Sequence, residues 1–192
     1  MDSSLKRLKA EVRKEVRDRM VGFSQEAREQ ASARARALLK QQAAWQEAGL
    51  VLLYAAVDGE LNIWPLVEAA LETRKVLTLP RFDSGTSRYL ACQVKNLEKD
   101  LAPGRYGILE PGKHCDPVPL NRLDFILVPG VAFDLHGRRL GRGKGYYDQL
   151  LAGVRGKTCG VAFDQQIVRE VPVETHDSDV NCILTPTRWI EL

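Results

Sequence analysis

The sequence predicts an α/β protein with a mainly parallel sheet flanked by helices, in a Rossmann-like three-layer arrangement preceded by N-terminal helices. Three observations support this. Apolar residues recur at helical spacing near the start, short apolar runs alternate with helical segments after residue 49, and a basic, glycine-rich loop follows the strongest apolar run. The length of 192 residues suits a single domain, taken as residues 1–192.

The N-terminal segment predicts two helices. An apolar stripe follows the first at spacings of three and four, through Leu5, Leu8, Val12, Val16 and Met20. Lysines and arginines surround this stripe, and Gly22 ends the helix. Ser24 is the expected N-cap of a second helix, which continues through ASARARALLKQQAAW.

After Gly49 the predicted strands are LVLLYAAV, VLTLPRF, RYLACQV, DFILVPGVAF and GKTCGVAF, and NCILTPTRWIEL ends the chain. WPLVEAALETR, with Pro65 near its start, and YYDQLLAGV predict helices. Ligands of such folds bind beyond the carboxyl ends of the strands. VDGE, LPRF and PGVAFDLHGRRLGRGKGYYD follow or end three strands, so we expect them to line one cleft.

Composition excludes several classes of function. The net charge is only +3, which argues against a protein that coats nucleic acid. Neither a transmembrane-length apolar run nor a signal-peptide core is present, so we expect a cytoplasmic protein without a membrane partner. The four cysteines form no CxxC pair and the histidines show no ligand spacing, so neither a zinc motif nor a histidine-based metal site is predicted. A monomer is the default expectation.

The segment RRLGRGKGYYD, residues 138–148, carries the strongest chemical signal. Its glycines allow positive φ and close backbone approach, and successive N–H groups in such a loop can bind an anion. Arg139, Arg142 and Lys144 add charge, and a helix beginning near Tyr146 adds positive potential. A polyphosphate is the expected ligand.

The loop matches neither standard nucleotide motif. Arg138 occupies the first glycine position of a Walker A loop, Gly145 replaces its Ser/Thr, and Tyr146 breaks the dinucleotide pattern GxGxxG. A flexible basic turn anchored by Tyr146 and Tyr147 is the alternative. Asp148 is either a Mg²⁺ ligand beside phosphates or a first-turn helix acid, with Asp177 or Asp179 as a second ligand.

The stretch VPGVAFDLHGRRLGRGKGYYDQLL resembles the signature region of 5-formyltetrahydrofolate cyclo-ligases, also called 5,10-methenyltetrahydrofolate synthetases. LKRLKAEVR, DGEL, LPRF, RYGILEP and GVAFDQQIVREVPVETHD extend the resemblance along nearly the whole chain. It implies ring closure of 5-formyltetrahydrofolate with ATP as co-substrate and Mg²⁺ as cofactor. The formyl oxygen attacks the γ-phosphate, N10 attacks the resulting iminium phosphate, and 5,10-methenyltetrahydrofolate, ADP and phosphate are released.

The resemblance also implies residue roles. Residues of the family's ATP site correspond to Lys6, Arg7, Lys9, Arg139, Leu140, Gly141, Arg142, Gly143, Lys144, Gly145, Tyr146 and Tyr147. Residues that meet the folate correspond to Ala55, Glu60, Tyr106, Arg142, Gly143, Lys144, Gly145 and Tyr146. Arg142 and Lys144 are the expected catalytic cations. Asp148 and Asp177 match the magnesium ligands, which leaves Asp179 an ordinary loop acid.

Two other hypotheses stay open from the sequence. A different ATP-dependent enzyme could keep the nucleotide loop and change the second pocket, although Glu60 and Tyr106 argue against this. A non-enzymatic RNA-binding module could use the basic N-terminal helix and the RGRGK loop, with a steep salt dependence of affinity. The small net charge and the lack of interleaved aromatic residues argue against RNA as a partner.

Overall fold

The computed structural model describes residues 3–175 and 177–192, with Tyr106 described by its backbone alone. The helices are α1 Ser3–Met20, α2 Gln25–Lys40, α3 Ala43–Glu47, α4 Trp64–Glu72, α5 Leu97–Asp100 and α6 Tyr146–Leu151. The strands are β1 Leu50–Leu52, β2 Val76–Asp83, β3 Arg88–Gln93, β4 Leu101–Pro103, β5 Leu109–Pro111, β6 Pro117–Val118, β7 Phe125–Pro129, β8 Ala132–Phe133, β9 Arg139–Leu140, β10 Lys157–Val161, β11 Cys182–Leu184 and β12 Trp189–Glu191.

The central sheet has eight strands in the order β12-β11-β10-β7-β1-β2-β3-β6. Strands β11, β10, β7, β1 and β2 are mutually parallel, whereas β12, β3 and β6 join the edges in antiparallel pairs. The carboxyl ends of the parallel strands therefore meet at one edge. Two small hairpins, β4–β5 and β8–β9, stand outside this sheet.

Alternating residues of the parallel strands enter different hydrophobic clusters. Val51 and Phe125 pack in a cluster with residues of α2, α3 and α4, whereas Leu52 and Ile126 pack in a second cluster with Leu150 of α6. Because successive side chains of a strand point to opposite faces, helices cover both faces of the sheet. The α/β class and the predicted three-layer arrangement are confirmed.

The second predicted helix is shorter than expected. Its start is confirmed, since the Ser24 hydroxyl accepts a hydrogen bond from Ala27 N. It ends at Lys40, and Gln42 adopts extended backbone before the separate helix α3 begins. This break lets Trp45 pack edge-on against Phe125 of the central strand, with ring centroids 5.9 Å apart.

Two predicted strands are also shorter. Of LVLLYAAV only Leu50–Leu52 is strand, and the following residues enter a loop in which the Tyr54 hydroxyl donates to Leu61 O. DFILVPGVAF divides at Gly130, after which β8 pairs with β9 rather than continuing the sheet. A Cβ on Gly130 would lie 2.6 Å from the Phe133 ring, so the tight packing at this break requires glycine.

Helix α1 packs beside the hairpin that precedes the glycine-rich loop. Val16 of its apolar stripe is buried in one cluster with Ala132 and Leu140 of β8 and β9, while Leu8 is 41% exposed. Burial along the predicted stripe is therefore uneven: Leu5, Val12 and Met20 are half-buried, and Val16 is fully buried. Among the described residues, no helix is both long and apolar enough to cross a membrane.

Candidate active site

The three segments predicted to share a cleft do so. A cavity of about 180 Å³ lies at the carboxyl edge of the sheet. Ala55 and Glu60 line it after β1, Pro80 lines it from β2, and Gly130 lines it after β7. The glycine-rich loop closes one side with Gly141, Arg142, Lys144 and Gly145. We call this space the aromatic cavity, because Tyr54, Tyr89, Tyr146 and Tyr147 also line it.

A second cavity lies on the other side of the same loop. Five residues line both spaces: Arg139, Gly141, Lys144, Gly145 and Asp148. The remaining lining of the second space carries several charged side chains: Lys6, Lys9, Arg13, Glu174 and Asp177. We call this the ionic cavity. The loop therefore forms a shared wall between a cavity rich in aromatic residues and a cavity rich in charged residues.

The glycines of the loop are required by its backbone and packing. Gly143 has φ +92° and Gly145 has φ +68°, values that residues with a Cβ rarely adopt. A Cβ on Gly141 would lie 2.8 Å from Arg139 Nη1. Gly145 is also the N-cap of α6. The predicted turn into a helix at Tyr146 is confirmed.

Arg13 fixes the loop from helix α1, and the sequence analysis missed it. Its Nε donates to Gly141 O at 3.1 Å, and its guanidinium lies against Gly143. Burial lowers the pKa of Arg13. Arg13 follows Lys9 by one helical turn, so the i,i+4 spacing on α1 was the available signal.

Arg139 and Asp148 form a buried ion pair between the cavities. Arg139 Nη2 donates to Asp148 Oδ1 at 2.5 Å, and the two side chains are 3% and 16% exposed. The guanidinium also lies over the Tyr147 ring, 5.7 Å from its centroid. Among the described residues, no group accepts a hydrogen bond from the buried Arg139 Nε. Asp148 thus faces both compartments from a fixed position at the start of α6.

Lys9 joins the second predicted metal ligand to the N-terminal helix. Its Nζ donates to Asp177 Oδ2 at 2.7 Å and to Glu174 Oε2 at 3.0 Å. Burial lowers the pKa of Lys9, but the hydrogen bonds to both carboxylates outweigh it and the pKa is raised. Lys6 lines the same cavity. Arg7 does not: it pairs with Glu11 along the exposed helix surface.

Glu60 lies at the other side of the aromatic cavity. Its Oε1 accepts from Arg142 Nη2 at 3.1 Å and its Oε2 accepts from Val57 N at 3.2 Å. Burial raises the pKa of Glu60, although the hydrogen bond from Val57 and the charge of Arg142 oppose this. Arg142 also reaches Asp58 O at 3.5 Å. In this conformation Arg142 lines only the aromatic cavity and not the ionic one.

An aromatic wall faces the loop. The Tyr146 ring lies 5.2 Å from Phe82 and 5.4 Å from Tyr89, centroid to centroid. Arg105 extends this wall, because it lies 4.2 Å from the Phe82 ring centroid and donates to the Tyr146 hydroxyl. Burial raises the pKa of Tyr147, which stays protonated. The side chain of Tyr106, predicted to meet the folate, lies outside the described part of the chain.

Lys144 differs from Lys9 and from the arginines of the site. It is exposed at the edge that both cavities share, and within the described ranges the structure gives it no hydrogen bond or ion pair. Arg13, Arg139 and Lys9 are all held by protein groups. Lys144 is therefore available to meet a ligand of either cavity.

The ionic cavity carries oxygen donors of the kind that Mg²⁺ binds. Asp148, Glu174 and Asp177 supply carboxylate oxygens to one space, which also carries cations able to bind phosphate. Mg²⁺ prefers oxygen ligands and is commonly held by one or two carboxylates together with substrate phosphates. Glu174 is an addition to the two aspartates that the sequence predicted.

In this α/β protein, one glycine-rich loop lines two cavities. A family model described as the 5-formyltetrahydrofolate cyclo-ligase family matches residues 5–186. The chain belongs to this family and is an enzyme of the ligase class. The resemblance found in the sequence is confirmed.

Individual relatives agree with this assignment. A 5-formyltetrahydrofolate cyclo-ligase of Escherichia coli strain K12 is 34% identical over 142 residues, which cover 72% of this chain and 78% of the relative. The Haemophilus influenzae enzyme of that name is 31% identical over 174 residues, with 88% and 91% covered.

Solved structures agree as well. The structure of Aquifex aeolicus 5,10-methenyltetrahydrofolate synthetase has a TM-score of 0.86 and 36% identity, covering 96% of this chain and 93% of that one. A Mycoplasma pneumoniae 5,10-methenyltetrahydrofolate synthetase has a TM-score of 0.71 at 18% identity and supports the fold alone.

Proposed function

We propose that this protein catalyses the ATP- and Mg²⁺-dependent closure of 5-formyltetrahydrofolate to 5,10-methenyltetrahydrofolate, with ADP and phosphate as the other products. The observation that carries the proposal is the loop shared by the two cavities. A reaction between a reduced pterin and a nucleotide needs an apolar site and a phosphate site that open onto each other. Because the chain belongs to the cyclo-ligase family, we assign the folate to the apolar site.

The ionic cavity is the proposed ATP site. Lys6, Lys9 and Lys144 offer positive charge to the phosphates, and the backbone of residues 141–145 offers N–H donors. Asp148 and Asp177 would hold Mg²⁺, with Glu174 beside them. The ion would neutralise charge on the phosphate oxygens. Lys9 exchanges part of its contact with Asp177 for phosphate in this scheme.

The aromatic cavity is the proposed folate site. Tyr146 and Tyr89 provide flat surfaces for the pterin, and Ala55 leaves room at the end of β1. Glu60 accepts hydrogen bonds from pterin N–H donors, held in place by Val57 N and Arg142. The substrate's formyl group then lies toward the loop, where the ATP γ-phosphate approaches from the other cavity.

The chemistry proceeds in two displacements. The formyl oxygen attacks the γ-phosphorus, the bond to the bridging oxygen breaks, and ADP leaves. The N10 amine then attacks the activated formyl carbon and loses its proton. Finally the carbon–oxygen bond breaks and phosphate leaves with the former formyl oxygen. The products are the cyclic methenyl cation, ADP and phosphate, so atoms and charge balance.

The protein contributes alignment and charge stabilisation. The loop brings the two reacting ends together, which replaces a bimolecular encounter by a positioned one. Lys144 lies at the shared edge and stabilises negative charge that develops on the transferring phosphoryl group. Arg142 orients Glu60 and faces the formyl end. The apolar walls exclude water that would hydrolyse the activated formyl group.

An isotope experiment tests whether the formyl oxygen is transferred to the released phosphate. 5-Formyltetrahydrofolate labelled with ¹⁸O in the formyl group is incubated with the protein, Mg²⁺ and ATP, and the released phosphate is analysed by mass spectrometry. The proposal predicts one ¹⁸O in each phosphate, in step with formation of the methenyl product. A matched reaction with unlabelled folate in ¹⁸O-water should leave the phosphate unlabelled. Phosphate that takes its oxygen from water would show uncoupled ATP hydrolysis and refute the proposal.

A further inference from the structure

A cluster of metal-binding side chains lies outside both cavities. The cluster consists of Asp100, His114 and Cys115. Each offers one possible ligand atom, and these three atoms lie within 4.8 Å of one another. Asp100 ends helix α5, whereas His114 and Cys115 lie in the turn after strand β5. The sequence contains no CxxC pair and no histidine pair that would predict this group. His114 and Cys115 are adjacent in the chain, and folding brings Asp100 to them.

The local contacts hold the three groups toward a common point. His114 Nε2 lies 3.2 Å from Asp100 Oδ1, and Cys115 Sγ lies 3.6 Å from the Asp100 carbonyl oxygen. The other carboxylate oxygen, Asp100 Oδ2, accepts from Lys95 N and Asn96 N. Asp100 is therefore fixed by the backbone through Oδ2 while Oδ1 faces the imidazole.

The turn is shaped to admit the imidazole. A Cβ on Gly112 would lie 2.6 Å from His114 Cε1, so the imidazole would have to shift if residue 112 carried a side chain. Gly112 N donates to Asp100 O, and Cys115 N donates to Gly112 O. Arg81 Nη1 binds the carbonyl oxygens of Gly112 and Cys115 on the backbone side. The ligand-bearing turn is thus held by four hydrogen bonds to neighbouring groups.

We propose that Asp100, His114 and Cys115 form a binding site for a divalent transition metal of the zinc type. A carboxylate oxygen, an imidazole nitrogen and a thiolate sulfur are all zinc ligands, and a water molecule would complete a tetrahedral set. Binding releases the thiol proton to solvent and forms a metal–sulfur bond. None of the three residues lines the aromatic or the ionic cavity.

The position of the site gives it a structural consequence. Asp100 directly precedes β4, and Gly112 directly follows β5, so the metal would tie together the open end of the β4–β5 hairpin. Leu109 and Glu110 of β5 line the aromatic cavity. Metal binding therefore stabilises a segment that forms part of the folate wall.

Cobalt spectroscopy tests the proposal. Reduced, full-length protein without a histidine tag is titrated with Co²⁺ under argon, and the near-ultraviolet band that reports a thiolate–cobalt bond is followed together with the visible bands of tetrahedral cobalt. The wild-type protein should develop both, saturating at one equivalent, and Zn²⁺ should abolish them. His114→Ala removes an exposed ligand and should weaken binding at least tenfold, and Cys115→Ser should remove the thiolate band.

His136→Ala is the matched control, since it removes an exposed histidine remote from the cluster in sequence and should leave the titration unchanged. Thermal unfolding followed by circular dichroism verifies that each variant folds, and Zn²⁺ should raise the melting temperature of wild type but not of His114→Ala. A wild-type protein without the thiolate band would overturn the proposal. So would a band of full strength and affinity in folded His114→Ala, because the metal would then be held elsewhere.

Discussion

Lys144→Ala is the most informative single change. The Lys144 side chain is exposed at the edge shared by both cavities. It makes neither a hydrogen bond nor an ion pair with any described residue. Its removal leaves no buried group without a partner. We therefore expect the free energy of unfolding to change by no more than about 0.5 kcal/mol, as for surface substitutions in general.

The expected effect on catalysis is much larger. In the proposed reaction the ammonium group stabilises charge on the transferring phosphoryl group. Removal of one such preorganised donor typically costs about 2.7–4 kcal/mol of transition-state stabilisation, or roughly 10²–10³ in kcat. Lys144→Arg keeps the charge but changes its shape, so we expect partial activity from it.

The assay is the initial rate of methenyl product formation at saturating folate and Mg-ATP, followed by absorbance. Lys40→Ala, which removes an exposed lysine at the end of α2, is the matched control and should retain full activity. A folded Lys144→Ala protein with a wild-type kcat would refute the role of the loop cation. A rise in KM alone would limit Lys144 to ground-state binding.

Three further predictions concern the pocket and the packing. Burial raises the pKa of Glu60, so its carboxylate is neutralised as pH falls through a value above the ordinary glutamate pKa of about 4.3. The KM for folate, measured as a function of pH, should therefore rise in that pH range for the wild-type protein. The same rise should be absent from Glu60→Gln. Gly143→Ala places a Cβ on a residue with φ +92°, and this backbone strain costs about 1–2 kcal/mol. The value of kcat/KM for ATP should therefore fall about tenfold. The control Gly85→Ala should leave kcat/KM for ATP unchanged. Gly160→Ala puts a Cβ 2.4 Å from the Phe133 ring and should destabilise the fold by about 1–3 kcal/mol, seen as a lower melting temperature with an unchanged KM.

Periodic patterns predicted the architecture well, because burial repeats regularly along helices and strands. The start of α2 at Ser24 and the strand VLTLPRF follow from local capping and apolar runs. Element ends were less predictable. The break at Gln42 depends on the contact of Trp45 with Phe125, which is distant in sequence. The break at Gly130 depends on close packing of this glycine against the Phe133 ring, which a run of apolar residues does not reveal.

The candidate site was predicted best where the chain is continuous. The glycine loop lies between the two compartments, and the segments around Glu60 and Pro80 reach the same cavity. Arg13, Glu174 and Tyr89 were missed, because each contributes through a distant contact rather than through a motif. Of the three residues of α1 that were predicted to bind phosphate, Arg7 instead pairs with Glu11 on the exposed surface of the helix.

The central claim is that the two cavities serve one reaction. The most direct measurement mixes the purified protein with 5-formyltetrahydrofolate and follows methenyl absorbance, first without nucleotide, then with ATP, and then with ATP and Mg²⁺. We predict product only in the last mixture, with one ADP formed for each methenyl product. A folded protein that binds ATP yet forms no methenyl product, or that forms it without ATP, would contradict the account.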